Sequence, residues 1–341
     1  MMRRFTDSIH QLNMAPIIEV KNLKKVFKTH KREAGIGSAI ASLFRRKYVY
    51  KEALKGISFS IEKGEIVGFI GPNGAGKSTA IKILSGVLYP TGGIVKVMDY
   101  VPWEDREEYV RDIGVVFGQK HQLWWDLPAV DTFYLHKVIY NIPDKDFKER
   151  LDKMVTLLDM QEIIKVPVRD LSLGERMKCQ IVAALLHNPK IVFLDEPTIG
   201  LDVVAKDKLR HFIKEVNEKE KTTFLVTTHD MGDIEKLCRR IIIINRGAVV
   251  YDGALEKIRG LYLNKKIFDV KLDEESRKQL KLKGCEVVER KQYSMKIEAD
   301  TSKIAVKDII NKLLSEFEIA DLIISDPPIE EIIQAIYKRK K

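Results

Sequence analysis

The stretch IIEVKNLKKVF (17–27) alternates apolar and polar positions, the period-two pattern of a strand. The polar stretch that follows, KTHKREAGIGSAIASLFRRKYVYKEA, carries a short amphipathic segment from Ile36 to Arg46. ALKGISFSIEKGEIVGFIG then predicts two strands, with Lys63-Gly64 at the turn between them. The second of these, EIVGFI, is apolar at successive positions, as expected of a strand buried on both faces. It runs directly into GPNGAGKST (71–79), and KSTAIKILSGVL reads as a helix. Residues 104–190 are mostly helical in pattern, interrupted by strand IGVVFG at 113–118. After that come strand KIVFLDEP (190–197), helix AKDKLRHFIKEVNEKE (205–220), strand TTFLVTTH (222–229), helix MGDIEKLC (231–238) and strand RIIIINRGAVV (240–250). Strands and helices in this alternation predict an α/β domain whose mainly parallel sheet is covered by helices. Near residue 260 the texture changes to short strands KIFDVKL, CEVVERK and YSMKIEA, helix IAVKDIINKLLSEF, strand ADLIISD and helix IEEIIQAIYKRK. The expected organisation is an extension over 1–15, a domain over 16–258 with an insertion at about 28–50, and a small α+β domain over 259–341.

Composition narrows the class. With 341 residues, 45% hydrophobic and 32% charged, the chain is an ordinary globular protein with room for one large core and a smaller one. Three cysteines, Cys179, Cys238 and Cys285, form no CxxC or Cys/His cluster, so neither a disulfide framework nor a zinc site is expected. The N-terminal MMRRFTDSIHQLNM has no apolar stretch behind its arginines and does not read as a signal peptide. No run approaches the ~20 apolar residues of a membrane span, so any membrane crossing falls to another chain. The net charge of +10 is uneven: residues 1–51 hold twelve Lys/Arg against three acids, a net +9. A field spread over the whole protein would suggest nucleic acid; a localised one points to phosphates, lipid headgroups or an acidic partner, or is simply a solvated basic face.

The chemistry sits in the glycine-rich stretch. Gly71, Gly76, Lys77 and Ser78 match G-x-x-x-x-G-K-[ST] between a buried strand and a helix. A phosphate chain is held by converging backbone N–H groups, which requires residues without a Cβ in the way, and Gly71, Gly74 and Gly76 supply them. The helix start adds its positive end, Lys77 reaches toward the β/γ-phosphates, and the Ser78 hydroxyl suits Mg²⁺. KIVFLDE ends an apolar strand in Asp195 and Glu196, and strand ends of a parallel sheet face its ligand crevice. Asp195 is placed to hold Mg²⁺ and Glu196 to polarise an attacking water. Gln119, after IGVVFG, offers its amide to the same ion or water, and His229, ending TTFLVTTH, falls near a γ-phosphate. In LSLGERMKCQIVAALL (171–186), Ser172 and Glu175 form an expected capping box. Gly174, in the first turn, costs helix stability, which a backbone approaching a ligand closely would explain.

In that order these pieces resemble the nucleotide-binding subunit of an ATP-binding cassette (ABC) transporter, over about residues 16–255. GPNGAGKST resembles the Walker A motif, so the resemblance implies ATP contacts from Gly71, Pro72, Asn73, Gly74, Ala75, Gly76, Lys77, Ser78 and Thr79. Gln119 resembles the Q-loop glutamine, LSLGE the signature, IVFLDE the Walker B, GLD (200–202) the D-loop with Asp202, and His229 the switch histidine. Phe27 occupies the place of the aromatic that stacks on adenine. Two signature positions depart from the family's LSGGQ: Leu173 stands for a glycine and Glu175 for the glutamine, whereas Ser172 and Gly174 are kept. The implied fold is the P-loop ABC type: a mainly parallel core, an antiparallel β subdomain and a helical subdomain at about 120–187. The implied cofactors are ATP and Mg²⁺. Two copies would close head to tail on two ATP molecules, with Ser172, Gly174 and Glu175 meeting the nucleotide held by the opposite copy and Lys77, Glu196, His229 and Gln119 serving hydrolysis. EPTIGLD, the single cassette and the α+β tail resemble the ATPases of ABC-2 type exporters. This implies a separate transmembrane permease, a peripheral place on the cytoplasmic face of the membrane, and no nucleic-acid partner. Trp124 and Trp125 and the 36–47 segment are candidate contacts with that permease or the bilayer, or else ordinary packing. DNA-repair relatives separate the two Walker motifs by long coiled coils, whereas here about 115 residues intervene without sustained heptads. Translation-associated relatives carry two cassettes where this chain has one, and an importer ATPase is separated from an exporter only weakly.

Overall fold

A computed structural model describes residues 15–30, 48–118, 120, 122–260, 264–275, 280 and 282–339. The 1–15 extension up to residue 14, the 36–47 segment and Gln119 lie outside the described residues. The chain divides into two compact units, Met1–Gly253 and Ala254–Lys341.

The first unit is built on two sheets. β1 (Ile18–His30), β2 (Tyr48–Ile61) and β4 (Gly92–Val97) form an antiparallel sheet in the order β2-β1-β4. β3 (Ile66–Ile70), β5 (Ile113–Phe117), β6 (Ile191–Asp195), β7 (Thr223–Thr227), β8 (Arg240–Asn245) and β9 (Ala248–Ala254) form the second, in the order β5-β6-β7-β3-β8-β9. Every described pairing from β5 through β8 is parallel. β3 lies at its centre, and Val67, Phe69 and Ile70 have no exposure, which is why EIVGFI shows no alternation. Phe69, Phe193, Leu225 and Ile242 join one core with Ile81 and Leu84, so burial of successive apolar residues drives this sheet together with the helix that follows β3.

Helices of this unit are α1 (Lys77–Leu84), the single-turn α2 (Arg106–Tyr109), α3 (Ala129–Ile139), α4 (Asp144–Leu157), α5 (Leu173–Leu185), α6 (Val203–Glu220) and α7 (Met231–Leu237). RIIIINRGAVV, expected as one strand, is broken by a turn: Arg246 (φ 49°) and Gly247 (φ 81°) both take left-handed backbone and separate β8 from β9. The apolar runs on either side concealed this, although Asn-Arg-Gly is itself a turn signal.

The second unit contains α8 (Leu255–Gly260), a four-stranded antiparallel sheet of β10 (Lys265–Leu272), β11 (Cys285–Lys291), β12 (Ser294–Asp300) and β13 (Ile319–Ser325), and helices α9 (Val306–Glu316) and α10 (Ile329–Arg339). Its own core gathers Phe268, Val270, Met295, Ile297, Ile309 and Leu313. Among the described residues, no helix is long and apolar enough to cross a membrane.

Candidate functional site

Parallel pairing brings the C-terminal ends of β3, β5, β6 and β7 to one edge of the sheet, and the sequence places its glycine loop, both acids and His229 there. From β3 the chain enters the loop 71–76 and then α1. Gly76 is the N-cap of α1 with φ 113°, a backbone that L side chains rarely adopt, and a Cβ there would lie 2.7 Å from the Ala53 carbonyl oxygen. No side chain caps α1, and its first turn holds no acid. Its leading N–H groups and partial positive charge are therefore left to an anion. Pro72, Asn73 and Gly74 form the exposed tip of the loop, whereas Ala75, Gly76 and Lys77 are buried. The Lys77 ammonium donates to the carbonyls of Gly71 (2.6 Å) and Pro72 (3.2 Å), lying back along the loop. Burial pulls its pKa below the ordinary lysine value, and the carboxylates of Glu196 and Asp195 oppose that pull. Ser78 is exposed on the first turn and Thr79 half-buried behind it.

Next to this loop, β6 ends in Asp195, in register with Thr227 of β7 and Phe117 of β5. The Thr227 hydroxyl donates to Asp195 Oδ1 at 2.5 Å, a partner that the TTFLVTTH pattern hides among apolar strand residues. Glu196 has φ 57°, a left-handed backbone that costs a non-glycine residue about 1–2 kcal/mol. Its N–H donates to the Thr227 carbonyl (2.9 Å) and approaches the Thr227 hydroxyl (3.2 Å), and these contacts hold the turn. The turn aims its side chain at His229, whose Nε2 lies 2.6 Å from Glu196 Oε1. His229 sits two residues beyond the end of β7 rather than within the strand.

The donor set fits Mg²⁺ held jointly with phosphate. Asp195 and the Ser78 hydroxyl contribute one carboxylate and one neutral oxygen, and among the described residues no group of three or more His, Cys, Asp or Glu could hold a metal alone. Mg²⁺ characteristically uses one or two carboxylates and takes its remaining ligands from phosphate and water.

A second cluster forms at the start of α5. Ser172 is its N-cap: the Glu175 N–H donates to Ser172 Oγ (3.2 Å), and the Ser172 N–H donates to Glu175 Oε2 (2.8 Å). The structure adds a reason for Gly174 from within the chain. That residue is buried, and a Cβ on it would lie 3.0 Å from the Gly200 carbonyl oxygen and 2.9 Å from Leu201 Cδ2. Close packing within the chain thus favours a glycine here independently of any ligand. Leu173, in turn, covers Gly200. Asp202 caps α6 by accepting the Ala205 N–H at 2.9 Å, a bond that lowers its carboxyl pKa.

Phe27 is half-buried on β1, with the Lys25 ammonium 5.2 Å from its ring centroid. Trp124 and Trp125 are 51% and 41% exposed, which removes ordinary core packing as their explanation, and the Arg176 guanidinium stacks 5.2 Å over Trp125.

The family model described as ABC transporter matches residues 54–199, the span from β2 through the turn after Glu196. The ABC transporter ATP-binding protein NatA of Bacillus subtilis (strain 168) is 33% identical over 215 residues, covering 63% of this chain and 87% of NatA. The chain belongs to the ABC transporter family. It is an ABC transporter ATP-binding subunit carrying an ABC ATPase domain. A second relative in the same organism, the linearmycin resistance ATP-binding protein LnrL, is 33% identical over 213 residues, or 62% of this chain and 68% of LnrL. Among solved structures, a dimeric post-hydrolysis state of the ATP-binding cassette MJ0796 bound to ADP and Pi is similar at a TM-score of 0.58 and 27% identity, covering 70% of this chain and 98% of that one. The matched span 54–199 takes in β3 to β6 and α1 to α5, and the Ala254–Lys341 unit lies beyond it.

Proposed function

We propose that this chain binds and hydrolyses ATP for an ABC-2 type membrane exporter, working at the cytoplasmic face of the membrane as a pair with a second copy and docked on separate permease subunits. The observation that carries the hydrolytic reading is the Glu196–His229 pair at 2.6 Å, set beside Asp195 and Lys77 at the open end of an uncapped helix. Lys77 neutralises phosphate charge once it turns from the Gly71 and Pro72 carbonyls to the nucleotide. Glu196 accepts a proton from the attacking water, and His229, paired with it, orients the carboxylate and the transferred phosphoryl group while ADP leaves. Bound Mg²⁺, held through Asp195 and Ser78, supplies charge neutralisation across the phosphates. Gln119 is assigned to the same ion or water, and Phe27 to the adenine face.

Pairing draws support from the MJ0796 cassette, which was solved as a dimer. In such a pair Ser172, Gly174 and Asp202 face the nucleotide of the opposite copy. Export draws support from a relative named for linearmycin resistance. The exposed Trp124 and Trp125 fit a permease contact. The test is two-part. Glu196→Gln is expected to keep ATP binding while phosphate release falls about 10²–10⁴-fold. Affinity purification from membranes is expected to bring down a polytopic permease, and recovery of ribosomes or DNA instead would refute the transport role.

A further inference from the structure

Apart from the groups assigned to the reaction, four side chains meet in one buried place. Asp233, on the first turn of α7, is 1% exposed. Its Oδ1 accepts the Arg210 Nε–H at 2.8 Å, and its Oδ2 accepts the hydroxyls of Thr198 at 2.5 Å and Thr228 at 3.2 Å. Arg210 is itself buried on α6 and also donates to Asp207 at 2.6 Å. A carboxylate this deep persists only when paired and hydrogen-bonded, and the one cation and two hydroxyls satisfy it.

What matters is where those hydroxyls sit. Thr198 follows Glu196 by two residues, and Thr228 precedes His229 by one. Both Glu196 and His229 lie just past strand ends: a backbone bond to the Thr227 carbonyl holds Glu196, and His229 stands two residues beyond β7. One carboxylate oxygen thus ties the two backbones that carry the 2.6 Å pair, and Arg210 anchors that carboxylate to the helix which Asp202 caps. We propose that Asp233, acting through Thr198 and Thr228, is a positioning residue that sets the separation of Glu196 and His229 for ATP hydrolysis. This rests on the hydrolytic reading above. A displacement of about 1 Å at a reacting group costs on the order of 10²-fold in rate, so two hydrogen bonds this near are enough to matter.

Asp233→Asn would leave the buried Arg210 with Asp207 as its one carboxylate partner among these contacts and threatens the fold, so the sharper test deletes the hydroxyls. Thr198→Val and Thr228→Val are expected to lower kcat about 10-fold each, and about 100-fold together, with the ATP dissociation constant within about twofold of wild type. Thr198→Ser and Thr228→Ser, which keep the hydroxyl, are expected to restore kcat. Thr223→Val serves as the structural control. Thr223 is fully buried at the opposite end of β7, and its hydroxyl accepts the Gly64 N–H at 2.9 Å. That variant is expected to lose thermal stability and keep kcat. An active wild type whose double valine variant also keeps kcat, or whose kcat loss is matched by Thr223→Val, overturns this inference alone. A wild type without magnesium-dependent ATP hydrolysis overturns the parent reading and this one with it.

Discussion

The helices α1 and α5 each have a glycine in or before the first turn, and their starts are finished in opposite ways. α1 begins at Gly76 with no capping side chain and no acid nearby, and its lysine is folded back on loop carbonyls. α5 begins at Ser172 with both halves of a capping box made, a carboxylate at its positive end, and Gly174 pressed against the Gly200 carbonyl. The glycine of the first is required by a left-handed backbone, that of the second by a neighbour's approach. A helix start with neither a capping side chain nor an acid in its first turn is left open to an anion. A start already satisfied is structural first, and any second role must come from outside the chain.

That contrast can be broken at each end. The largest effect is expected at Gly76→Ala, where φ 113° and the Ala53 carbonyl leave no room for a Cβ. ATP affinity should fall on the order of 10²-fold, read by equilibrium titration. Gly174→Ala should behave differently: unfolding stability drops by about 1–3 kcal/mol from overpacking, while ATP affinity of the single chain stays at wild type. Loss of nucleotide affinity there would mean that the two helix starts are not distinct in role. Ser172→Ala removes the cap and should cost about 1 kcal/mol, a fall in Tm of about 2–4 °C, again without altering ATP affinity of the single chain. The smallest effect concerns Asp202. Its carboxyl pKa is lowered by the Ala205 N–H, so its charge contributes stability above the ordinary carboxylate range, and that contribution is lost as pH falls through the lowered value. Asp202→Asn keeps a capping oxygen, so its Tm should fall slightly below wild type at pH 7 and converge with it in acid.

Much of this was legible in the chain because the signals are local. The glycine spacing of residues 71–76, the unbroken apolar run of β3 and the Ser172/Glu175 spacing each depend on residues a few positions apart, and the structure realises each one. What escaped depends on partners far apart in sequence. Thr227 reaches Asp195 only because β6 and β7 run in parallel register. Asp233 collects Thr198, Thr228 and Arg210 from three segments, and nothing in MGDIEKLC announces it. The crowding of Gly174 was equally hidden, because its neighbour Gly200 lies on another loop. The turn inside RIIIINRGAVV was missed for the opposite reason, a local signal outvoted by its apolar neighbours.

The most direct measurement is calorimetric titration of the purified chain with ATP, with and without magnesium, beside a Lys77→Ala variant. One ATP per chain, bound more tightly with magnesium and lost in the variant, is the expected result. Binding that is absent, or that ignores both magnesium and Lys77, would contradict the assignment of the uncapped helix start to nucleotide phosphate.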